Sequence, residues 1–187
     1  MRRAIAFLVC IPLALGACGS DKQAVPTTTL AGGATTLAPA EPQGTKTYTD
    51  LARNHVDTRV DYPQTPPVGG PHNPVWQTCK FYDQPIFNEH GVHSMEHGAV
   101  WLTYAPDLPA DQIAVLQALE PSKGYLLISP DPGLPAKVVA TAWGKQLYLD
   151  SVGDPRLQQF VAYFELGPQT PEQDVPCQGG TTDLATS

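Results

Sequence analysis

Large hydrophobic residues fall into three regimes along the chain. An almost unbroken apolar run fills residues 4–15, directly after Met1-Arg2-Arg3. From Gly19 to about Thr49 the chain is Thr, Ala, Pro and Gly with almost no large apolar side chain. From Ala99 onward short apolar blocks recur, separated by turn residues. Ala99-Val100-Trp101-Leu102-Thr103-Tyr104 predicts a buried strand. Asp107-Leu108-Pro109 leads into a predicted helix over 110–120, with Ile113, Val115, Leu116 and Leu119 on its apolar side. Tyr125-Leu126-Leu127-Ile128-Ser129 predicts a second strand, stopped by Pro130-Asp131-Pro132-Gly133. Residues 137–143 predict a third, and Gly144-Lys145 turns the chain into a fourth over 146–150. Asp154 as N-cap and Pro155 at the first helical position open a last helix. Its buried stripe is Leu157, Phe160, Val161 and Phe164.

This order of strand, helix, three strands and helix predicts the α+β class. The expected architecture is a single compact domain over residues 50–177, a small mixed sheet with two packed helices. Its N-terminal part is a long Pro/Gly-rich loop region, Tyr62-Pro63-Gln64-Thr65-Pro66-Pro67-Val68-Gly69-Gly70-Pro71-His72. Prolines deny the backbone donors and glycines permit positive φ, so this is a shaped loop. Loops this long in a compact domain are often functional. Residues 18–49 lack the apolar surface to offset the entropy of ordering and read as a disordered tether. Residues 178–187 read as a flexible tail.

The apolar run near the N-terminus is too short to span a bilayer and follows two positive charges, the pattern of a signal peptide over residues 1–17. It ends in Leu15-Gly16-Ala17-Cys18, a sequence similar to a bacterial lipobox, which makes Cys18 the lipidated first mature residue. The expected location is the outer face of the cytoplasmic membrane or the cell envelope, with the membrane as partner through the lipid. Cys10 leaves with the signal, so Cys79 and Cys177 remain, and outside the cytoplasm such a pair forms a disulfide. The competing reading makes Cys79 a metal ligand.

Charge narrows the partners. Removing Arg2 and Arg3 from the 11 basic residues leaves 9 against 18 acidic, a net of −9. No basic run survives to hold phosphates, which argues against nucleic acid and against attachment through a polybasic patch.

Candidate chemistry concentrates in His90, His93, Glu96 and His97. Spacings of three and four bring the three imidazoles to one helical stripe, over a short helix from about Glu89 to His97 ended by Gly98. Imidazoles so placed suit copper or zinc, with Glu96 as ligand or orienting group and His72 as a further ligand. Met95 points away from His93 and is expected in the core. His93-Ser94-Met95-Glu96-His97 also spells H-x-x-E-H, the inverted zinc-protease signature, in which Glu96 would activate water. Gly91 and Gly98 bracket it, where such enzymes keep a long helix. A third reading is structural: His93 and His97 donate to loop carbonyls around Gly70 and Pro71.

Pro66-Pro67-Val68-Gly69-Gly70-Pro71-His72, Val92-His93-Ser94-Met95-Glu96-His97-Gly98-Ala99-Val100 and Ala142-Trp143-Gly144 together resemble a bacterial family catalogued as domain of unknown function 3105. The likeness spans Tyr62 to Cys177. It implies a membrane-anchored or secreted protein and places His72 beside His93, Glu96, His97 and Trp143; His90 lies outside the family pattern. The expectation is therefore an extracytoplasmic lipoprotein with a histidine-rich site for copper or zinc in a non-catalytic role. The alternatives are a metal-free module that docks an envelope protein, and a zinc-dependent hydrolase.

Overall fold

The computed structural model describes residues 40–119 and 124–185; the expected signal peptide, Cys18 and most of the expected tether lie outside them. The elements run β1 (Lys46–Thr47), α1 (Asn88–Glu96), β2 (Val100–Tyr104), α2 (Ala110–Leu119), β3 (Leu126–Pro130), β4 (Val138–Ala142), β5 (Lys145–Leu149) and α3 (Pro155–Phe164). The strands form one sheet in the order β1-β5-β4-β2-β3. Only β2 and β3 are parallel, joined through α2; the other pairs are antiparallel. A single α+β domain with a mixed sheet results.

Side-chain alternation sorts this sheet into two buried faces. Val100, Leu102, Leu126, Ile128, Val138, Ala140, Leu147 and Leu149 point to α3 and α2. Leu157, Phe160, Val161 and Phe164 of α3 meet them as the periodicity predicts. Asp154 caps that helix, its carboxylate accepting from the Arg156 N–H at 2.9 Å. In α2 only Leu116 is fully buried, with Ile113 and Leu119 packing at the margin. Val115, expected on this side, is 47% exposed: it sits about 100° around the helix from Leu116, off the 113-116-119 stripe.

The opposite face carries Trp101, Leu127, Thr103, Ser129, Thr141 and Gln146, all buried. Here α1 lies against the sheet through Val92 and Met95. Gly91 makes the approach possible, since a Cβ there would stand 2.8 Å from the Trp101 ring. The Pro/Gly loop covers the rest of this face. Gln146 donates to the Pro66 carbonyl at 2.9 Å, and Gly144 N–H to the Val68 carbonyl at 2.7 Å.

Two segments without hydrophobic period are nevertheless ordered. β1 lies within the stretch read as tether and pairs Lys46 with Gln146. Past Cys177, where a loose tail is expected, Thr78 N–H donates to the Thr181 carbonyl, Thr181 N–H to the Trp76 carbonyl and Ala185 N–H to the Pro85 carbonyl. Backbone pairing holds both segments, and composition does not register that. Cys79 and Cys177 form the disulfide, with Cα atoms 5.5 Å apart, so Cys79 is no metal ligand. Such a bond is the mark of an oxidising, extracytoplasmic compartment. No helix among the described residues is long and apolar enough to cross a membrane.

Candidate metal centre

Helix α1 ends because Gly98 turns at φ +102°, with His97 as the capping residue. The helix thereby delivers His93, Glu96 and His97 to one place while Met95 goes to the core, fully buried. His72 arrives from the Pro/Gly loop, and its backbone pairs with the segment around His55: Val56 N–H donates to the His72 carbonyl at 2.7 Å. The four rings gather around His93, with His55 stacked on it and His97 edge-on. His93 lies 4.6 Å from His97, 4.9 Å from His72 and 5.0 Å from His55, centroid to centroid. Trp76 flanks His97 at 4.9 Å, and Trp143 meets His72 edge-on at 5.8 Å.

Each buried imidazole is held by its Nδ1. Nδ1 of His72 lies 2.7 Å from the Gly70 carbonyl, that of His93 2.7 Å from Asn73 O, and that of His97 3.2 Å from Pro176 O. A carbonyl only accepts, so each Nδ1 carries a proton; Nε2 of His93 and of His97 is left facing the cluster, while Nε2 of His72 faces Glu96. Burial pushes the His93 imidazole down to about 4, against a smaller opposing effect of the Asn73 bond. Burial also lowers His97. Both are neutral at pH 7, with Nε2 lone pairs to offer.

Glu96 supplies the charge. Its Oε2 is 2.8 Å from His72 Nε2, and its Oε1 accepts from Arg53 Nε at 2.8 Å. Burial pushes this carboxyl up, but hydrogen bonds from His72 and Arg53 together outweigh it and hold it at about 2. His72 Nε2, fully buried, faces that carboxylate at 2.8 Å.

Two groups of donors result. His55, His72, His93 and Glu96 bring their ligand atoms within 4.8 Å of one another, and so do His93, His97 and Glu172. Of the residues expected from the sequence, His72, His93, Glu96 and His97 come together. His90 does not: its Nδ1 is taken by the Val75 carbonyl and its ring packs on Phe87 at 5.6 Å. The structural reading of the histidines holds for Nδ1, though the carbonyls are those of Asn73 and Pro176 and not those around Pro71. It leaves the Nε2 atoms of His93 and His97 turned to the cluster.

Sequence reasoning missed His55, Glu172 and Arg53. The chain has five histidines, and His55 alone was left outside the candidate set; counting them would have raised it. Glu172 and Arg53 lie in irregular segments and carry no signal of their own.

No curated protein and no solved structure matches the chain. A family model does, over residues 55–179, which takes in every donor of both groups. On that match the chain belongs to the family described as protein of unknown function (DUF3105).

Proposed function

We propose that this is an extracytoplasmic lipoprotein, anchored through Cys18, whose domain holds a copper or zinc ion in a non-catalytic role of storage or delivery. The observation that carries the reading is the common orientation of His72, His93 and His97. Each has its Nδ1 on a backbone carbonyl and its Nε2 turned to a group of donors that contains a carboxylate, Glu96 or Glu172. Metal-bound histidines are fixed in this way, because the bond at one nitrogen sets the direction and basicity of the other. The donors are imidazole and carboxylate. Cys79 and Cys177 are joined to each other and Met95 packs in the apolar cluster with Val92 and Trp101, so no sulfur stands among the donors of either group. That set suits Cu(II) or Zn(II) better than Cu(I).

Hydrolysis has less support. A general base works best with a pKa near the operating pH. Glu96, at about 2 and bound by Arg53, is far from it. Helix α1 spans nine residues, short for a zinc-protease helix.

The test is titration of untagged, metal-free protein with Cu(II) and with Zn(II), followed by calorimetry and elemental analysis. Saturable uptake that is lost in His93→Ala is expected. Failure of the unaltered protein to take up either ion overturns the reading. Cys18→Ala should release the protein from the membrane fraction; retention through a salt wash would mean that something other than lipid holds it.

A further inference from the structure

The two donor groups share one residue, His93. Its Nδ1 is bonded to the Asn73 carbonyl at 2.7 Å, so it has one lone pair to give, at Nε2. An ion bound in one group therefore takes from the other a ligand it cannot replace. Without His93 the second group is reduced to His97 and Glu172.

The groups also differ in strength. The first offers four donors, of which His72, His93 and Glu96 are buried and His55 is exposed. The second offers three and opens outward at Glu172, whose side chain is 39% exposed. Arg53 stands between the two carboxylates, its Nε 2.8 Å from Glu96 and its Nη2 3.9 Å from Glu172. This fixed positive charge opposes two dications held side by side.

Resting on the metal-binding reading above, we infer that the two groups are successive stations of a single ion, with His93 the ligand kept throughout. The ion rests among His55, His72, His93 and Glu96. It leaves, or is loaded, by way of His97 and Glu172. An ion released straight to water must lose up to four protein ligands. Passage to the second station exchanges them a few at a time, with His93 bound at every step. Only coordination bonds change, and no electron is transferred.

The experiment uses the untagged full chain and Zn(II) as probe. Binding at equilibrium is measured by dialysis with elemental analysis, and transfer to excess EDTA is followed by stopped flow. One ion per chain is expected. His72→Ala should weaken binding by about 100-fold or more. His97→Ala and Glu172→Gln should weaken binding clearly less than His72→Ala does, by about tenfold at most. Both should slow transfer to EDTA by about tenfold, the mark of a raised exit barrier. Glu172→Gln, on the open side, keeps the test valid if His97→Ala misfolds. Two ions bound per chain would overturn the inference, as would unchanged transfer rates in both variants, or an affinity loss in His97→Ala equal to that in His72→Ala. Each of these leaves the metal-binding reading standing; no uptake by the unaltered chain removes both.

Discussion

On one face of the sheet, Leu102, Ile128 and Ala140 meet Phe160 and Phe164 through carbon alone. On the other, Trp101, Leu127 and Trp143 share their space with buried His72, Gln77, His93, Ser94, Glu96 and His97. The first face is stabilised by burial, which has no direction and forgives small shifts. The second depends on partners for each polar atom. Ser94 Oγ donates to the Gln77 carbonyl at 2.7 Å and accepts from its N–H at 3.0 Å, and the Gln77 side chain reaches the Asp183 carbonyl. Removing one such partner strands the other. One face supplies rigidity so that the other can carry chemistry.

The largest expected effect comes from breaking the disulfide, which lies on the polar face. Reduction removes a constraint worth roughly 4–5 kcal/mol in the chain-entropy model. It also frees Pro176, whose carbonyl holds His97. Hydrogen exchange should then quicken at Thr78 and Cys79 while β4 and β5 stay protected. Uniform loss of protection would mean that the two faces form one cooperative unit. Next comes Phe160→Ala on the apolar face, expected to cost about 3–5 kcal/mol in a urea melt. Metal uptake should be unchanged under native conditions; loss of it would show that the faces are not independent.

Gly91→Ala tests how tightly α1 is pressed on the sheet. Helix propensity favours alanine by about 1 kcal/mol. A Cβ at 2.8 Å from Trp101 opposes that, and overpacking of this kind costs about 1–3 kcal/mol, so net destabilisation is expected. A higher melting temperature would place α1 more loosely than described.

The most gradual effect comes with pH and is read on the polar face through His93 and Glu96. His93 is lowered to about 4 from 6.5, so between those values the unfolded chain binds the extra proton. Metal-free stability should fall as pH drops from 6.5 towards 4, by at most about 1.4 kcal/mol per pH unit for one proton. Glu96, held at about 2 against 4.5, adds a loss below pH 4.5. Urea midpoints between pH 7.5 and 4.5 should show the slope, reduced in His93→Gln. An identical slope in that variant would place the titration elsewhere.

The apolar face was legible in the sequence because its residues recur with the period of the element that carries them. Leu157, Phe160, Val161 and Phe164 announce their stripe, and Val115 misled only because hydrophobicity was read without its angle. Half of the polar face was legible, where His93, Glu96 and His97 lie on one helix end. The rest was not. His55 and Glu172 reach the site through backbone pairing of irregular segments, such as the His72–Asn54 and Glu172–Glu96 hydrogen bonds, which leave no periodic trace; His72, a candidate from the sequence, is placed by the same pairing. The order of residues 178–185 was hidden for the same reason: its partners are backbone atoms, which every residue has.

Two of the carbonyls that hold imidazoles belong to Gly70 and Asn73, and each precedes a proline, Pro71 and Pro74. Proline steers the residue before it away from the helical region and brings no N–H of its own. A carbonyl at such a junction is left out of any helix or strand ladder, yet must find a donor once covered. The ring N–H of a histidine meets that need. The prolines thereby act on the histidines at a distance: by starving the loop of donors they fix which nitrogen of each ring keeps its proton. A Pro71 or Pro74 substitution that let those carbonyls pair within the loop would free the rings to turn over and exchange tautomers, and the cluster would lose its donors with every ligand residue still in place.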